Sequence, residues 1–222
     1  MRATMIGRAF ALGFLLLAGP AGAADFDIAN GDVASLVAAI DAANVNGTTD
    51  VITLATNGSY TLTAAAETGT GLPAITTALT IEGNGSTISR SGAAPAFRIF
   101  AIGGSATVAM RDLTITNGDA GGRNSLTSRG GNIAVLGSTP QLTLENCIVS
   151  GGIAGIGGGI FVEPAGAVVT ILGGFVVNNL ASRGAGIALA GAAQLDLDGT
   201  YVGSNSAVDF SGGGGGASAA AS

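Results

Sequence analysis

The sequence predicts an all-β protein built as a parallel β-helix, a solenoid of about 27 residues per coil. Three observations lead to this prediction. Short runs alternate apolar and polar residues, glycine is abundant with 39 of 222 residues, and one segment recurs along the chain. A fixed repeat with short strands and no helix of its own buries its apolar face only against its neighbours, which is the logic of a solenoid.

The repeat is clearest at Gly157–Asn179, which combines a glycine triplet, three short strands and a closing asparagine. Ile133, Ile160 and Ile187 each follow a glycine-rich triplet, at separations of 27 and 27. Strands of successive copies can pair at about 4.8 Å per coil, so the repeated apolar positions should stack into one core. The other inward columns are Val135, Val162 and Leu189; Val108, Leu142, Val169 and Leu195; Met110, Leu144, Ile171 and Leu197; and Ile115, Val149, Val176 and Val202.

Asparagines occupy matching turn positions at Asn179 and Asn205. Stacked side-chain amides can bond to one another along the axis of such a stack. We therefore predict an asparagine ladder there rather than a binding role.

The first residues have the features of a secretory signal. Arg2 and Arg8 precede an apolar run from Ala9 to Ala18, and the segment closes on Ala21-Gly22-Ala23. Residues 1–23 are therefore predicted to be cleaved off after Ala23. Export to the cell surface, the periplasm or the extracellular space follows. Loss of two arginines leaves six basic against 14 acidic residues, which disfavours nucleic acid as a partner. No later apolar run is long enough to span a membrane.

The mature chain should begin with a cap at residues 24–48. Asp32 is a good N-cap, an amphipathic stripe follows it and Gly47 is a plausible stop, so a short helix is predicted over Val33–Ala43. The β-helix is predicted over 49–210, including a turn cluster at Glu82–Gly85, and a Gly/Ala/Ser tail over 211–222.

These motifs carry a resemblance. The segments GGGI at Gly157–Ile160 and GAGI at Gly184–Ile187, with the closing Val176–Asn179 and Val202–Asn205, resemble the repeats of polymorphic outer membrane proteins and autotransporter passengers. The start of the mature chain is similar to many pectin-lyase-like chains. The resemblance implies a right-handed β-helix and a capping role for the helix. It specifies no function, and the catalytic motifs of pectate lyases and polygalacturonases are not matched.

Two departures from the repeat stand out. The step from Ile115 to Val149 is 34, so a loop of about seven extra residues is predicted within Asp119–Ser128. A further glycine cluster at Gly212–Gly216 is followed by no strand. Open strand edges favour pairing with another chain, so self-association through an uncapped C-terminal coil is one expectation. A fragment of a longer surface protein is another.

Several chemistries are excluded by composition. The chain has no histidine and one cysteine, Cys147, so it cannot form a Ser-His-Asp or Cys-His system, a zinc site with histidine ligands or an internal disulfide. The inward position of Cys147 indicates a small core residue. No cofactor or metal site is predicted.

Outward carboxylates are the first candidate site. Glu145 and Asp198 share an outward column with Arg111, and Asp196 lies two residues before Asp198, at a Cα separation of roughly 6.5–7 Å. This is near the spacing used by inverting glycosidases. The simpler interpretation is solvated surface carboxylates and a weak Arg111–Glu145 ion pair.

Aromatic and basic residues are the second candidate. Phe175 and Tyr201 form an outward column with Ile148, Phe161 is predicted to lie exposed on another face, and exposed rings bind sugars or protein partners. We favour the alternative that Phe175 turns inward, since it follows a glycine pair that permits a bend. The insert, with Arg123 and the neighbouring Arg129, is either a recognition loop or a passive insertion.

Three functions remain open. The first is a secreted or surface β-helix with a structural, adhesive or passenger role, whose partner is a carbohydrate or another surface protein. The second is a polysaccharide lyase or glycoside hydrolase using Glu145, Asp196 and Asp198. The third is a truncated piece of a longer surface protein.

Overall fold

The computed structural model describes residues 22–122 and 124–208, with only the backbone of Asn46. Most of the predicted signal segment, Arg123 and the predicted tail lie outside the described residues. Within them the chain forms one helix, α1 (Val33–Asn46), and short strands arranged in three sheets.

The strands in chain order are β1 (Asp25–Ile28), β2 (Asp50–Leu54), β3 (Ser59–Leu62), β4 (Leu79–Arg90), β5 (Phe100–Ile102), β6 (Thr107–Thr116), β7 (Ile133–Val135), β8 (Gln141–Glu145), β9 (Ile148–Ser150), β10 (Ile153–Ile156), β11 (Ile160–Val162), β12 (Val168–Leu172), β13 (Phe175–Val177), β14 (Leu180–Arg183), β15 (Ile187–Leu189), β16 (Gln194–Asp198), β17 (Tyr201–Gly203) and β18 (Ser206–Ala207).

Each sheet is a stack of corresponding strands from successive coils. The largest follows the order β1-β2-β4-β6-β8-β12-β16, with β3, β9, β13 and β17 continuing it around a bend. The second has the order β5-β7-β11-β15, and the third β10-β14-β18. Strands pair in parallel, so the predicted parallel β-helix is confirmed.

The predicted register is also confirmed. Ile160 pairs with Ile133 on one side and Ile187 on the other, and Val169 and Ile171 pair with the predicted residues of both neighbouring coils. The columns stack into one continuous core. Leu189 is a partial exception: it was predicted inward, yet it is 41% exposed because β15 is the last described strand of its sheet.

The bend in the largest sheet uses left-handed backbone residues. Asn57, Asn84, Asp112 and Asn146 have φ between 47° and 51°, a conformation that short polar side chains tolerate. The turn predicted at Glu82–Gly85 is therefore a bend inside β4, where the register shifts between Glu82 and Ser86. Neighbouring strands keep pairing on both sides of it.

Helix α1 covers one end of the core. Asp32 accepts a hydrogen bond from the Ser35 amide at 3.0 Å, and Gly47 has a left-handed φ of 70°, so the N-cap and the stop residue are those predicted. The helix runs three residues beyond the predicted Ala43, to Asn46. Leu36 and Ile40 are fully buried against the first coils. In the described part of the chain, no helix has the length and apolar character needed to cross a membrane.

Candidate functional site

A cleft of about 460 Å³ lies where the ends of β10 and β14 meet the outer side of β11 and β15. Its lining combines two guanidinium groups, one carboxylate and an apolar surface. The lining residues are Arg129, Ile156, Phe161, Glu163, Arg183, Gly184, Ala188, Leu189 and Ala190.

The two arginines belong to one column of the solenoid. Arg129 pairs with Ile156 through a β-bridge, and Ile156 pairs with Arg183 in the next coil. Two coil steps separate the arginines, about 10 Å along the axis. This distance lets two long side chains act on one ligand of modest size.

Phe161 lies in this cleft and is not an exposed aromatic. It is 2% exposed and stands apart from the main core that contains Ile160 and Val162. The Arg129 guanidinium carbon lies 5.2 Å from its ring centroid. The prediction of an exposed ring was wrong, because Arg129 and the end of β10 in the same polypeptide cover the outer side of β11.

Glycine makes that close return possible. Gly157 has a φ of 67°, and a Cβ there would come within 2.8 Å of the Phe161 Cβ. Gly130 and Gly184 repeat the geometry against Ala134 and Ala188. The first glycine of each triplet therefore brings the ends of β10 and β14 against the sheet of β11 and forms the corner of the cleft.

Glu163 and Arg129 form an ion pair across the Phe161 ring. The Arg129 Nε is buried and has no hydrogen-bond partner among the described residues. The pair holds the Arg129 guanidinium over the ring. The Nε–H of Arg129 is then an unused hydrogen-bond donor in the wall of the cleft.

Arg183 is the second cation of the cleft. It is exposed, and among the described residues it forms no ion pair. Two guanidinium groups and one carboxylate give the cleft a formal charge of +1, whereas the whole chain has a formal charge of −6. The cleft is thus a locally cationic site with apolar walls on an acidic protein.

Arg129 and Phe161 are among the candidates predicted from the sequence, whereas Glu163 and Arg183 are not. A usable signal was present, since Arg129, Ile156 and Arg183 each directly precede the first glycine of a triplet, at separations of 27. What the sequence did not show is that this column faces the outer side of β11.

The proposed carboxylates are not gathered in a cleft. Asp196 and Asp198 lie exposed on β16, and Glu145 is two strands away on β8. The outward column is as predicted, and Arg111 bonds to Glu145 and also, at 2.6 Å, to Glu82. The hydrogen bonds that the Arg111 guanidinium donates to Glu145 and then to Glu82 raise its pKa. Glu145 is therefore engaged in a surface ion-pair ladder.

Phe175 and Tyr201 form an exposed pair on a different face. They are aligned on β13 and β17, 49% and 55% exposed, with ring centroids 6.1 Å apart in an edge-to-face arrangement. The favoured inward orientation of Phe175 was wrong. Gly173 and Gly174 both adopt positive φ values, and together they make the bend before β13. Because β13 is not rotated by this bend, it stays in register with β9 and β17, and Phe175 points outward.

The insert is a loop with its own local bonds. Asp119 accepts hydrogen bonds from the amides of Gly121 and Gly122, and the Ser128 hydroxyl donates to the Ala120 carbonyl at 2.7 Å. Arg129, at its end, reaches the cleft. Arg123 lies outside the described residues. Among those that are described, no three His, Cys, Asp or Glu side chains gather as a metal-ligand group.

The fold defines the class of this protein as a parallel β-solenoid whose largest sheet stacks strands from seven coils. A scan of protein-family models gives no match, and neither curated proteins nor solved structures yield a similar chain. The site geometry therefore supplies the argument for function.

Proposed function

We propose that this protein is an exported, surface-acting β-helix module that binds an anionic carbohydrate without transforming it. The observation that carries the proposal is the cleft, where the exposed Arg183 and the Arg129–Glu163 pair surround an apolar surface. An arginine fork suits a carboxylate or sulfate, and apolar walls suit the faces of a sugar ring. The volume falls within the range of ordinary ligand sites.

Export is the second part of the proposal, and the N-terminal signal pattern supports it. A rigid solenoid, whose register continues from coil to coil, suits the structural or adhesive role of a surface module. The resemblance to autotransporter passengers and pectin-lyase-like chains is consistent with such a role.

The enzymatic alternative receives little support from the described residues. Asp196 and Asp198 are neighbours on one exposed strand and do not face each other across a cleft, and Glu145 is paired with Arg111. A glycosidase needs an acid and a second carboxylate on opposite sides of the scissile bond. Turnover of a polysaccharide that disappears in Asp198→Ala would overturn the binding proposal.

The test is a glycan-binding screen of acidic and neutral oligosaccharides on the exported protein. Arg183→Gln should weaken binding of the acidic ligand by about tenfold or more, because it removes an exposed charge-assisted contact. Arg183→Lys should recover part of the affinity, since it restores the charge without the fork.

Phe175→Ala is the matched control, because it removes an exposed side chain from a different face. Unchanged binding in that variant, together with the loss in Arg183→Gln, places recognition in the cleft. Loss only in Phe175→Ala would move the site to the aromatic pair and refute the cleft as the binding site.

A further inference from the structure

A buried carboxylate lies at the start of the first coil and contacts the backbone of Ala24. Asp50 is fully buried, and its Oδ1 accepts a hydrogen bond from the Ala24 amide nitrogen at 2.7 Å. The Ala24 carbonyl accepts in turn from the Val51 amide at 3.0 Å. Ala24 is thus held in a fixed position beside Asp50 by hydrogen bonds from its own backbone.

Ala24 is also the first residue after the predicted cleavage site. Gly22 and Ala23 are exposed, whereas Ala24 is half-buried. The bond that a signal peptidase would cut therefore lies directly beside the buried carboxylate, on the accessible side of the contact.

We propose that cleavage after Ala23 turns the Ala24 nitrogen into an α-ammonium group that forms an ion pair with Asp50 and locks the first coil. Water adds across the Ala23–Ala24 peptide bond. The Ala23 carboxylate leaves with the leader, and the released Ala24 amine takes up a proton. This inference rests on the export in the proposed function but not on ligand binding in the cleft.

The physical gain comes from charge. In the uncut chain Asp50 Oδ1 accepts one N–H from the Ala24 amide and also the Thr48 hydroxyl, at 3.4 Å. An α-ammonium at Ala24 offers three donors and a full positive charge. The bond from the amide to the carboxylate is already charge-assisted on the acceptor side, and the ammonium adds the Coulomb attraction of two opposite charges at a buried position. The paired terminus should hold β1 and β2 together more firmly after processing than before it.

The chain allows a clean test because it contains no lysine. After cleavage the α-amine is its only aliphatic primary amine, so an acetylating reagent reports on that group alone. The full chain is expressed with export, and its N-terminus is determined by intact mass and terminal sequencing. The expected first residue is Ala24, and any other first residue overturns the proposal.

The second readout is the rate of acetylation of the native protein at pH 8. In the folded protein the amine should react about tenfold more slowly than in Asp50→Asn, because a protonated, paired amine is a poor nucleophile. Asp25→Asn is the matched control: it removes an equal charge from an exposed residue adjacent to Ala24 and should leave the rate unchanged. Equal rates in wild type and Asp50→Asn would refute the ion pair.

A third measurement keeps the test decisive if Asp50→Asn does not fold. Wild-type protein is acetylated in denaturant and refolded beside a mock-treated sample. Acetylation keeps an N–H donor at Ala24 but removes its charge, so it reproduces the bonding of the uncut chain. The Tm should fall by at least about 2 °C; an unchanged Tm overturns the lock. An Ala24 terminus without protection refutes the lock but leaves export intact, and glycan binding of the same samples tests the cleft separately.

Discussion

At the scale of the residue, the buried asparagines show how one structural solution is built from two sequence patterns. Asn179 Nδ2 donates to Asn205 Oδ1 at 3.0 Å, which confirms the predicted ladder. The ladder extends to Asn132, whose Nδ2 donates to Asn179 Oδ1 at 3.3 Å. Asn132 was not predicted because it comes from the glycine triplet of its coil.

The explanation is an exchange between two facing positions. In the later coil Asn179 faces Gly159, whereas in the earlier coil Asn132 faces Gly152. A Cβ at Gly152 would come within 2.6 Å of Asn132 Nδ2, and one at Gly159 within 2.9 Å of Asn179 Nδ2. One amide and one glycine fill the space in either arrangement, so the ladder continues although the residues exchange places.

Replacing Asn179 by alanine should destabilise the fold by about 2–4 kcal/mol. Asn179 is 1% exposed. It accepts a hydrogen bond from the Gly152 amide at 2.9 Å and donates one to the Val149 carbonyl at 3.0 Å, so its loss leaves both groups without this partner. Urea denaturation measures the change. Asn205→Ala, at the half-buried end of the ladder, should cost less; an equal or smaller cost at Asn179 would contradict the central role of that residue.

Titration of Cys147 should lower the stability of the folded protein at alkaline pH. Burial raises the pKa of its thiol from 9.0 to about 11. The folded state holds the proton more tightly than the unfolded state, so this stabilisation is complete below pH 9 and is lost as the pH rises towards 11. The expected loss is about 3 kcal/mol.

The measurement compares denaturation at pH 7, 9 and 11 for wild type and Cys147→Ser. Serine can bond to the same Met110 and Glu145 carbonyls but does not titrate in this range. The difference between the two proteins should therefore change between pH 9 and 11. A constant difference over this interval would show that the thiol is not shielded.

At the scale of the element, each short strand owes its place to the pairing above and below it. The three residues of β11 are all buried, and its strand partners are β7 and β15. The alternation that fixes Ile160 and Val162 is local and was visible in the sequence. The burial of Phe161 was not, because it depends on the positive φ of Gly157 and on Arg129 from the preceding coil.

An aspartate at position 160 should unfold the neighbouring coils. Ile160 is 0% exposed, so Ile160→Asp places a charge in the stacked core at a cost on the order of 4 kcal/mol. Thr143→Asp is the control, since Thr143 lies at an outward position of β8 and its equivalent two coils later is Asp196. Circular dichroism and thermal melts compare them; wild-type stability of Ile160→Asp would refute the inward assignment.

At the scale of the whole molecule, stability is distributed unevenly along the axis. Leu142 and Leu144 are 1% and 0% exposed, whereas Leu195 and Leu197 in the same columns are only partly buried. The opposite end is covered by α1. In a solenoid each coil is stabilised by its immediate neighbours, so the last described coil should open first.

Hydrogen exchange tests this gradient directly. Amides of β16 and β17 should exchange at least about tenfold faster than those of β8 and β9. Equal protection along the axis would mean that another segment or a second copy covers the C-terminal coil. Self-association, which the sequence predicts, can be tested separately by sedimentation at several protein concentrations.

The repeat, the inward columns, the helix with its caps and the insert could all be predicted from the sequence. These features depend on alternation and spacing, which are properties of contiguous residues. Only the folded chain shows the orientation of Phe175, the burial of Phe161, the extension of the ladder to Asn132 and the meeting of Arg129 with Glu163 and Arg183. Each of these depends on contacts between segments of different coils or faces, where a glycine sets how closely two backbones approach. The repeat length predicts which residues of successive coils stack on one another. It does not predict which side chains from different faces of the solenoid come into contact.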